Sequence, residues 1–548
     1  MPAALRSFPE SPPMNALSTD ADSLRSRRRR APVRRRRNLH ARLRQIRSCS
    51  PRRFAAGRPG RRRLTVALLC GLWPALAPAA DGLREPRAFD RLRVYRPAPP
   101  LPESYRAEDW PCFLGPRHTP VSDERGVLKD WGPNGPPLIW AMEKGESYAS
   151  PAIGGRFLVY PHRIGDEVLV ECLEPTTGRR YWQFRYSTTY SDRYGYGNGP
   201  RATPVMDHDR VFVYSAQGVL YCLQLADGRL LWKKDLAEEY KVPQDFFGTA
   251  TSPLLWNDRL IINVGAPKGP CVIALDKKTG RVLWESGDRW GPSYATPVPA
   301  TIHGRPTVFV FAGGESRPPT GGLLSLDPRT GRIDFRFPWR SRSYESVNAS
   351  CPLVIGQRVF VSATYQTGSA LLEVQRDFRH RVVWTTDEVG LHWNVPIHRD
   401  GYLYAYDGRN EPDAALVCVE LKTGRVVRRE VLQWEDEVRI GDTVQKVTMS
   451  PFRGWLLQVD GGCLSLGEWG HLLWLDLTPQ RFRIVRRAWL FAARETWTPP
   501  VLSHGLLYIC QNTRDVLNKT PPRLLCYSLR PPQPTTSEAG SQGDPSDE

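Results

Sequence analysis

An eleven-residue motif that recurs along the chain constrains its fold more than any other feature. Residues 274–284 read Ala-Leu-Asp-Lys-Lys-Thr-Gly-Arg-Val-Leu-Trp, and weaker copies occupy 172–182, 222–232, 325–335 and 418–428. The motif has the composition of a strand, a turn and a second strand. Asp276 and Thr279 can bond nearby backbone amides, and Gly280 supplies the positive φ of a bulged hairpin loop. Self-similarity at a fixed period predicts a repeat architecture.

A second repeating signal sets the number of units. A residue followed by proline, and then by a β-rich run, occurs eight times, with the prolines at 151, 204, 253, 297, 352, 396, 451 and 499. The mean spacing near 50 residues, with about four strand-like runs per unit, predicts an all-β propeller of eight four-stranded blades. The eighth repeat lacks its last strand, and Leu138-Ile139-Trp140 resembles it. We therefore expect this N-terminal strand to complete the last blade and close the ring.

Ala274–Trp284 also matches in full the tryptophan-docking motif Ala-x-Asp-x-x-Thr-Gly-x-x-x-Trp. On this motif the chain resembles the pyrroloquinoline-quinone-like (PQQ-like) eight-bladed propellers, over residues 109–529. Asp109–Pro116 is similar to the lead-in of exported propellers of planctomycete-type bacteria. The family includes the propeller lipoprotein of the outer-membrane barrel assembly machinery. The resemblance implies structural docking roles for the following residues: Asp276, Thr279, Gly280, Trp284, Gly178, Trp182, Gly228 and Trp232.

The two ends of the chain differ in composition from the repeats. Residues 1–63 hold nineteen arginines against three acidic residues, so the remainder carries only +3 of the net charge of +19. We predict an Arg-rich leader at 1–63, which an early annotated translation start or an unusually long leader would explain. A signal peptide follows at 64–80, a linker at 81–108, the propeller at 109–529 and a disordered tail at 530–548.

These segments predict an exported protein of the periplasm or cell exterior. The apolar run at 64–73 is short for a membrane span, so no transmembrane segment is expected after signal cleavage. The near-neutral propeller does not favour nucleic-acid binding. We expect a monomer whose partner is an envelope protein or a small-molecule ligand. Nine cysteines lie beyond the leader and signal, and the repeat register favours small buried core residues over disulfides.

The family resemblance raises an enzymatic alternative. In its enzymes the quinone lies over the ring centre on a calcium or lanthanide ion, often capped by a vicinal disulfide, with an aspartate as base. This chain has no Cys-Cys pair, and no Asp, Asn or Glu set matches the metal ligands. We therefore predict no catalytic, cofactor or metal residues and a non-enzymatic binding or scaffold role. A PQQ- and Ca²⁺-dependent dehydrogenase of alcohols or sugars is the alternative.

We call the eight repeated prolines the proline marks. The segment before each proline mark connects one blade to the next and should face the central funnel. These segments are rich in aromatic and polar residues, which either pack between blades or line a ligand groove. The candidate funnel residues are Tyr148, Tyr194, Tyr196, Asn198, Arg201, Trp290, Tyr294, Arg340, Tyr344, Asn348, His392, Trp393, Asn394 and Trp497.

Overall fold

The structure is a computed structural model that describes residues 84–244, 246–344, 346–410, 414–440 and 442–532. The predicted leader at 1–63, the signal peptide at 64–80 and most of the C-terminal tail lie outside these residues. The described chain is almost entirely β-structure. The helix α1 (Leu236–Glu239) has four residues, and no membrane-spanning helix occurs in the part of the chain that the structure describes.

Eight antiparallel sheets follow one another along the chain, as the repeat spacing predicts. Each of the first four blades has strand order matching chain order. Blade 1 consists of β3 (Ala152–Gly154), β4 (Phe157–Ile164), β5 (Glu167–Leu173) and β6 (Arg180–Ser187); blade 2 of β7 (Val205–Met206), β8 (Arg210–Tyr214), β9 (Val219–Gln224) and β10 (Leu230–Asp235); blade 3 of β11 (Leu254–Trp256), β12 (Arg259–Ile262), β13 (Val272–Asp276) and β14 (Val282–Ser286); blade 4 of β15 (Val298–Ile302), β16 (Arg305–Ala312), β17 (Gly322–Leu326) and β18 (Ile333–Pro338).

The second half repeats the pattern and adds one hairpin between blades 6 and 7. Blade 5 consists of β19 (Leu353–Ile355), β20 (Arg358–Ala363), β21 (Gly368–Val374) and β22 (His380–Thr386); blade 6 of β23 (Ile397–Arg399), β24 (Tyr402–Asp407), β25 (Ala415–Glu420) and β26 (Val426–Glu430); the hairpin of β27 (Trp434–Ile440) and β28 (Thr443–Met449); blade 7 of β29 (Trp455–Val459), β30 (Gly462–Leu466), β31 (His471–Leu477) and β32 (Phe482–Trp489); blade 8 of β33 (Val501–Ser503), β34 (Leu506–Gln511), β35 (Arg523–Ser528), β2 (Leu138–Glu143) and β1 (Leu92–Val94).

The ring closes as predicted, through an N-terminal strand in the last blade. Strand β2 pairs antiparallel with β35, so that Trp140 lies opposite Cys526. A fifth strand, β1, then pairs with the outer edge of β2, with Leu92 opposite Met142. Because β2 and β35 come from opposite ends of the propeller sequence, their pairing removes an open sheet edge at the junction.

At five of the blade junctions a tryptophan joins one blade to its neighbour. In blade 1, Trp182 donates from its indole nitrogen to the carbonyl of Leu225 in blade 2, at 2.8 Å. The same bond joins Trp232 to Lys277, Trp284 to Pro328, Trp384 to Leu421, and the ring-closing Trp140 to Pro175. Each indole lies against the motif glycine of the next blade, and these are Gly228, Gly280, Gly331, Gly424 and Gly178 respectively.

Glycine is required in the motif for two reasons: the backbone has a positive φ, and a Cβ atom would clash with the tryptophan ring of the preceding blade. Gly228 has φ +75°, and a Cβ atom there would lie 2.5 Å from the Trp182 ring. The preceding turn is held by the carboxylate at the motif's third position: Asp276 accepts bonds from the amides of Lys278 and Thr279 and from the Thr279 hydroxyl. Turn chemistry and inter-blade packing thus use the same few residues, which is why they recur together.

The proline marks correspond to a belt of hydrogen bonds between adjacent blades. The amide of Ser150 donates to Thr203 Oγ1, that of Thr203 to Ser252 Oγ, that of Ser252 to Thr296 Oγ1 and that of Thr296 to Cys351 Sγ. The distances lie between 2.9 and 3.2 Å. At four of the prolines the small side chain of the preceding residue therefore serves as the acceptor for the preceding blade, and all five residues named here are buried.

The segment that precedes the first blade covers the ring from one side. Trp110 pairs with Ile153 of blade 1, and the carbonyl of Pro111 accepts from the Met206 amide of blade 2. Leu114 belongs to the apolar core formed by blades 4 to 7, and the amide of Ser122 donates to the Gln458 carbonyl of blade 7. Since residues 110–122 contact blades around the whole ring, they cross its centre on this side.

Candidate functional site

The topology of the blades assigns the candidate residues to one face of the propeller. Successive strands of a blade are antiparallel, so the connection from the fourth strand to the next blade lies on the same face as the connection between the second and third strands. The docking turns, between the third and fourth strands, lie on the opposite face. We call the first of these the funnel face. The inter-blade segments and the docking turns therefore lie at opposite ends of the strands.

Trp497, in the segment before blade 8, is the centre of an aromatic cluster on this face. Its ring stacks on Tyr148 with a centroid distance of 5.5 Å. It also contacts Tyr196 at 5.4 Å and Trp393 at 5.3 Å. These three partners lie in the segments that precede blades 1, 2 and 6. One indole thus joins four inter-blade segments that are far apart in the sequence.

The cluster continues through the segments before blades 3, 4 and 5. Phe247 contacts Tyr194 at 5.6 Å, Tyr196 at 6.0 Å and Tyr294 at 5.6 Å. Its neighbour Phe246 contacts Tyr344, which is 65% exposed at the edge of the cluster. The aromatic side chains of seven inter-blade segments therefore form one continuous surface, which we call the funnel cluster.

Acidic side chains beneath the funnel cluster are each engaged by a neighbour. Arg201 binds Asp192 at 2.7 Å and lies over the Tyr148 ring, 4.9 Å from its centroid. Tyr148 in turn donates its hydroxyl to Glu495 at 2.5 Å.

A third carboxylate, Glu468, is buried and accepts hydrogen bonds from two groups of the cluster. It accepts from Arg453 Nε at 3.0 Å and from the Trp497 indole nitrogen at 2.6 Å. The guanidinium of Arg453 also lies over Trp393, 4.8 Å from the ring centroid. Glu468 therefore orients the central tryptophan and compensates the charge of Arg453.

Burial shifts the pKa values of His392 and Tyr148 away from the range useful for acid–base chemistry near neutrality, whereas it shifts that of Glu495 towards this range. Burial, together with the charges of Arg453 and Arg409, lowers the pKa of His392 well below its ordinary value. Burial raises the pKa of Tyr148 well above 10 and also raises that of Glu495. His392 is thus a neutral, weakly basic imidazole, whereas an efficient general base titrates near the working pH.

The remaining candidates support the backbone or lie elsewhere. Asn198 accepts from the Asp192 amide at 2.8 Å, while Asn348 and Asn394 donate to the carbonyls of Ala312 and Tyr406. Arg340 donates to the Ser346 carbonyl at 2.6 Å. Trp290 lines a separate pocket of about 270 Å³ together with Cys271, Asp288, Arg289 and Arg336. The structure therefore brings nine of the fourteen candidates into the cluster or against it: Tyr148, Tyr194, Tyr196, Arg201, Tyr294, Tyr344, His392, Trp393 and Trp497.

Sequence analysis missed the residues contributed by the connections between second and third strands. Tyr365, Arg409 and Glu468 lie in these connections in blades 5, 6 and 7. No repeated proline follows these connections, so the pattern that identified the inter-blade segments could not identify them. The usable signal is positional, because residues directly after the second strand of a blade end on the funnel face.

The residues of the funnel do not fit the calcium-bound quinone that the resemblance raises. Among the described residues, no group of three or more His, Cys, Asp or Glu side chains is placed to hold a metal ion. The carboxylates near the cluster are already bound by Arg201, Arg453 and Tyr148. The nine cysteines of the described chain are buried free thiols. No chemical step through a quinone follows from this donor set.

A comparison with known families matches residues 166–430 to the PQQ-type family described as outer membrane protein assembly factor BamB. With the docking motif and the eight closed blades, this match supports the resemblance over about half of the chain. The chain is an eight-bladed β-propeller whose repeats resemble those of the PQQ-like family. The quinohemoprotein alcohol dehydrogenase ADH-IIG of Pseudomonas putida is 25% identical over 181 residues, which is 30% of this chain and 24% of the relative. The match thus spans about a quarter of that curated relative.

Two solved structures illustrate what this chain is similar to. The quinohemoprotein alcohol dehydrogenase of Comamonas testosteroni superposes with a TM-score of 0.51 at 12% identity, covering 78% of this chain and 82% of the other chain. BamB of Moraxella catarrhalis gives 0.43 at 13% identity, covering 71% and 97%. At such identities the likeness to the dehydrogenase supports the propeller fold alone.

Proposed function

We propose that this PQQ-like propeller is a non-enzymatic binding or scaffold protein of the cell envelope, which recognises a protein or small ligand through its inter-blade loops at the funnel. The observation that carries the proposal is the funnel cluster itself, in which Trp497 joins segments from four blades. Large aromatic rings in a concave site supply most of the binding energy in many recognition surfaces, and arginines at their edges add specificity.

The chemistry of the cluster supports recognition rather than turnover. Its carboxylates are committed to arginine and tyrosine partners, and its histidine is a weak base. Residues 110–122 contact blades 1, 2 and 7 on the other side, so the funnel face is the side on which we expect a partner to bind. The description of the matched family names an assembly factor of the outer membrane, which favours a protein partner and an envelope location.

A pair of exposed tyrosines provides the test. Tyr344 is 65% exposed in the funnel cluster, whereas Tyr95 is 54% exposed just after β1 at the outer edge of blade 8. Tyr344→Ala should lower the capture of a partner from envelope extracts of the source organism at least several-fold, as measured by quantitative mass spectrometry. Tyr95→Ala is the matched control and should leave capture unchanged. Equal capture by both variants and the wild-type protein would show that the funnel is not the binding surface.

The quinone-dependent dehydrogenase remains the second candidate because of the partial match to the Pseudomonas putida enzyme. Its test is to add pyrroloquinoline quinone and calcium to the purified propeller and to follow dye reduction with simple alcohols and sugars. We expect no rate above that of the mixture without protein. A rate that depends on both quinone and protein would refute the binding-protein proposal.

A further inference from the structure

Arg409, on the funnel face, forms no ion pair with a carboxylate of the described residues. Arg409 lies in the connection between β24 and β25, where its guanidinium stacks over the Tyr365 ring, 4.5 Å from the centroid. Its Nε is buried and has no hydrogen-bond partner. Arg201 and Arg453, in contrast, are neutralised by Asp192 and Glu468. The charge of Arg409 is therefore not compensated by any carboxylate that the structure describes.

Arg409 belongs to a closed set of five contacts. The Tyr365 hydroxyl lies 2.9 Å from His392 Nε2, and the His392 ring lies 4.5 Å from that of Trp393. Trp393 is covered by the guanidinium of Arg453, whose Nη1 donates to the Arg409 carbonyl at 2.8 Å. Tyr365, His392, Trp393, Arg409 and Arg453 thus form one contiguous group on the funnel face, which we call the Arg409 site.

The Arg409 site contains unsatisfied donors. The indole nitrogen of Trp393, like Arg409 Nε, is buried without a hydrogen-bond partner. Both groups can only donate. His392 Nδ1 is also buried without a partner, and it carries the ring proton when Tyr365 donates its hydroxyl to Nε2. A buried donor without an acceptor costs about 1–3 kcal/mol, so these groups favour a ligand that supplies acceptors.

We propose that the Arg409 site binds a carboxylate group. The proposal rests on the proposed binding function and names the chemistry of its ligand. A carboxylate matches the Arg409 guanidinium in charge, and its two oxygens offer acceptors to Arg409 and Trp393. Neutral His392 adds a donor without adding charge. The carboxylate can belong to an acidic peptide segment or to a small dicarboxylic acid, and the experiment separates these sources.

The probes are an amidated hexaglutamate peptide and glutarate, with an amidated hexalysine peptide as the charge control. Binding to the purified protein is measured by calorimetry and by quenching of tryptophan fluorescence. The variants are Arg409→Gln, which removes the charge, and Arg409→Lys, which keeps it but removes the Nε donor. Arg193→Gln is the matched control, because Arg193 is an exposed arginine of the funnel face whose guanidinium lies 5.9 Å from the Phe246 ring centroid. Near-UV circular dichroism verifies that each variant is folded.

We expect at least one of the two carboxylate probes to bind and hexalysine not to bind. Arg409→Gln should weaken binding about 10- to 100-fold, the size expected for a charge-assisted hydrogen bond, and Arg193→Gln less than about twofold. Competition by glutarate would identify an isolated carboxylate as the ligand, and binding of the peptide alone would identify an acidic segment. Equal weakening by the Arg409 and Arg193 variants, or no binding of either carboxylate probe, overturns the proposal. In that case loss of partner capture by Tyr344→Ala would still support the binding function.

Discussion

Replacing Gly228 by alanine tests the claim that the repeat motif holds the ring together. Gly228 combines a positive φ of +75° with direct contact between its Cα and the Trp182 ring of the preceding blade. A Cβ atom would lie 2.5 and 2.6 Å from two ring carbons, whereas carbon atoms in contact sit at about 3.5–4.0 Å. The indole must therefore move by about 1 Å, which stretches its 2.8 Å hydrogen bond to the Leu225 carbonyl.

The cost of Gly228→Ala has three parts. The left-handed backbone conformation costs about 1–2 kcal/mol for a residue with a Cβ. Overpacking of a buried ring costs about 1–3 kcal/mol, and the weakened indole bond about 0.5–1.5 kcal/mol. The expected loss in the free energy of unfolding is about 3–5 kcal/mol. Gly461→Ala isolates the first part, because Gly461 has φ +77° but open space around the position of its Cβ. It should cost about 1–2 kcal/mol.

Urea unfolding followed by tryptophan fluorescence and far-UV circular dichroism measures both variants. Trp182→Leu provides a second control, because it removes the ring that the new methyl group would meet. Gly228→Ala should therefore cost markedly less in the Trp182→Leu background than in the wild-type protein. If Gly228→Ala and Gly461→Ala destabilise the protein equally, the close contact with Trp182 adds nothing and the docking argument is wrong.

Two further predictions concern stability. Burial alone would raise the pKa of Glu171, but its hydrogen bond with His162 and the charges of Arg91 and Arg180 outweigh burial and lower this pKa to about 2. A carboxyl with a pKa of about 4.3 in the unfolded chain then contributes about 3 kcal/mol above that pH, and this contribution is lost as the pH falls towards 2. Urea midpoints measured between pH 5 and 2.5 should fall steeply for the wild-type protein and less for Glu171→Gln; parallel curves would contradict the assignment. Thr203→Val removes the acceptor of the Ser150 amide and should cost about 1–3 kcal/mol in thermal unfolding, whereas Thr203→Ser keeps the acceptor and should cost less.

The candidate site was only partly predictable, for a reason that lies in the topology. The inter-blade segments are recognisable in the sequence by their aromatic residues and by the proline that follows, so Tyr148, Trp393 and Trp497 could be predicted from the sequence. Whether such rings pack between blades or meet across the funnel depends on contacts between residues hundreds of positions apart, such as Tyr148 and Trp497. The spacing of a repeat carries no information about these distances. Arg409 and Glu468 lie in connections without a repeated marker, so they became visible only when the blades were closed into a ring.

The sequence by itself determined the architecture of this PQQ-like propeller. Turn chemistry, inter-blade docking and the proline marks are local in each repeat, and Ala274–Trp284 contains nearly all the residues that one blade junction needs. Such patterns repeat because each blade must pack against the next one in a similar way. Ring closure was also predictable from the sequence, since Leu138-Ile139-Trp140 is the strand that the eighth repeat lacks.

Tertiary structure decided everything that depends on the centre of the ring. The role of Thr203, as the acceptor for the Ser150 amide of the neighbouring blade, appears only when these two residues are adjacent. The funnel cluster and the Arg409 site arise from segments that have no relation to one another in sequence. Contacts between identical repeats are encoded in the repeat, whereas contacts among eight different loops around one axis depend on the closed ring.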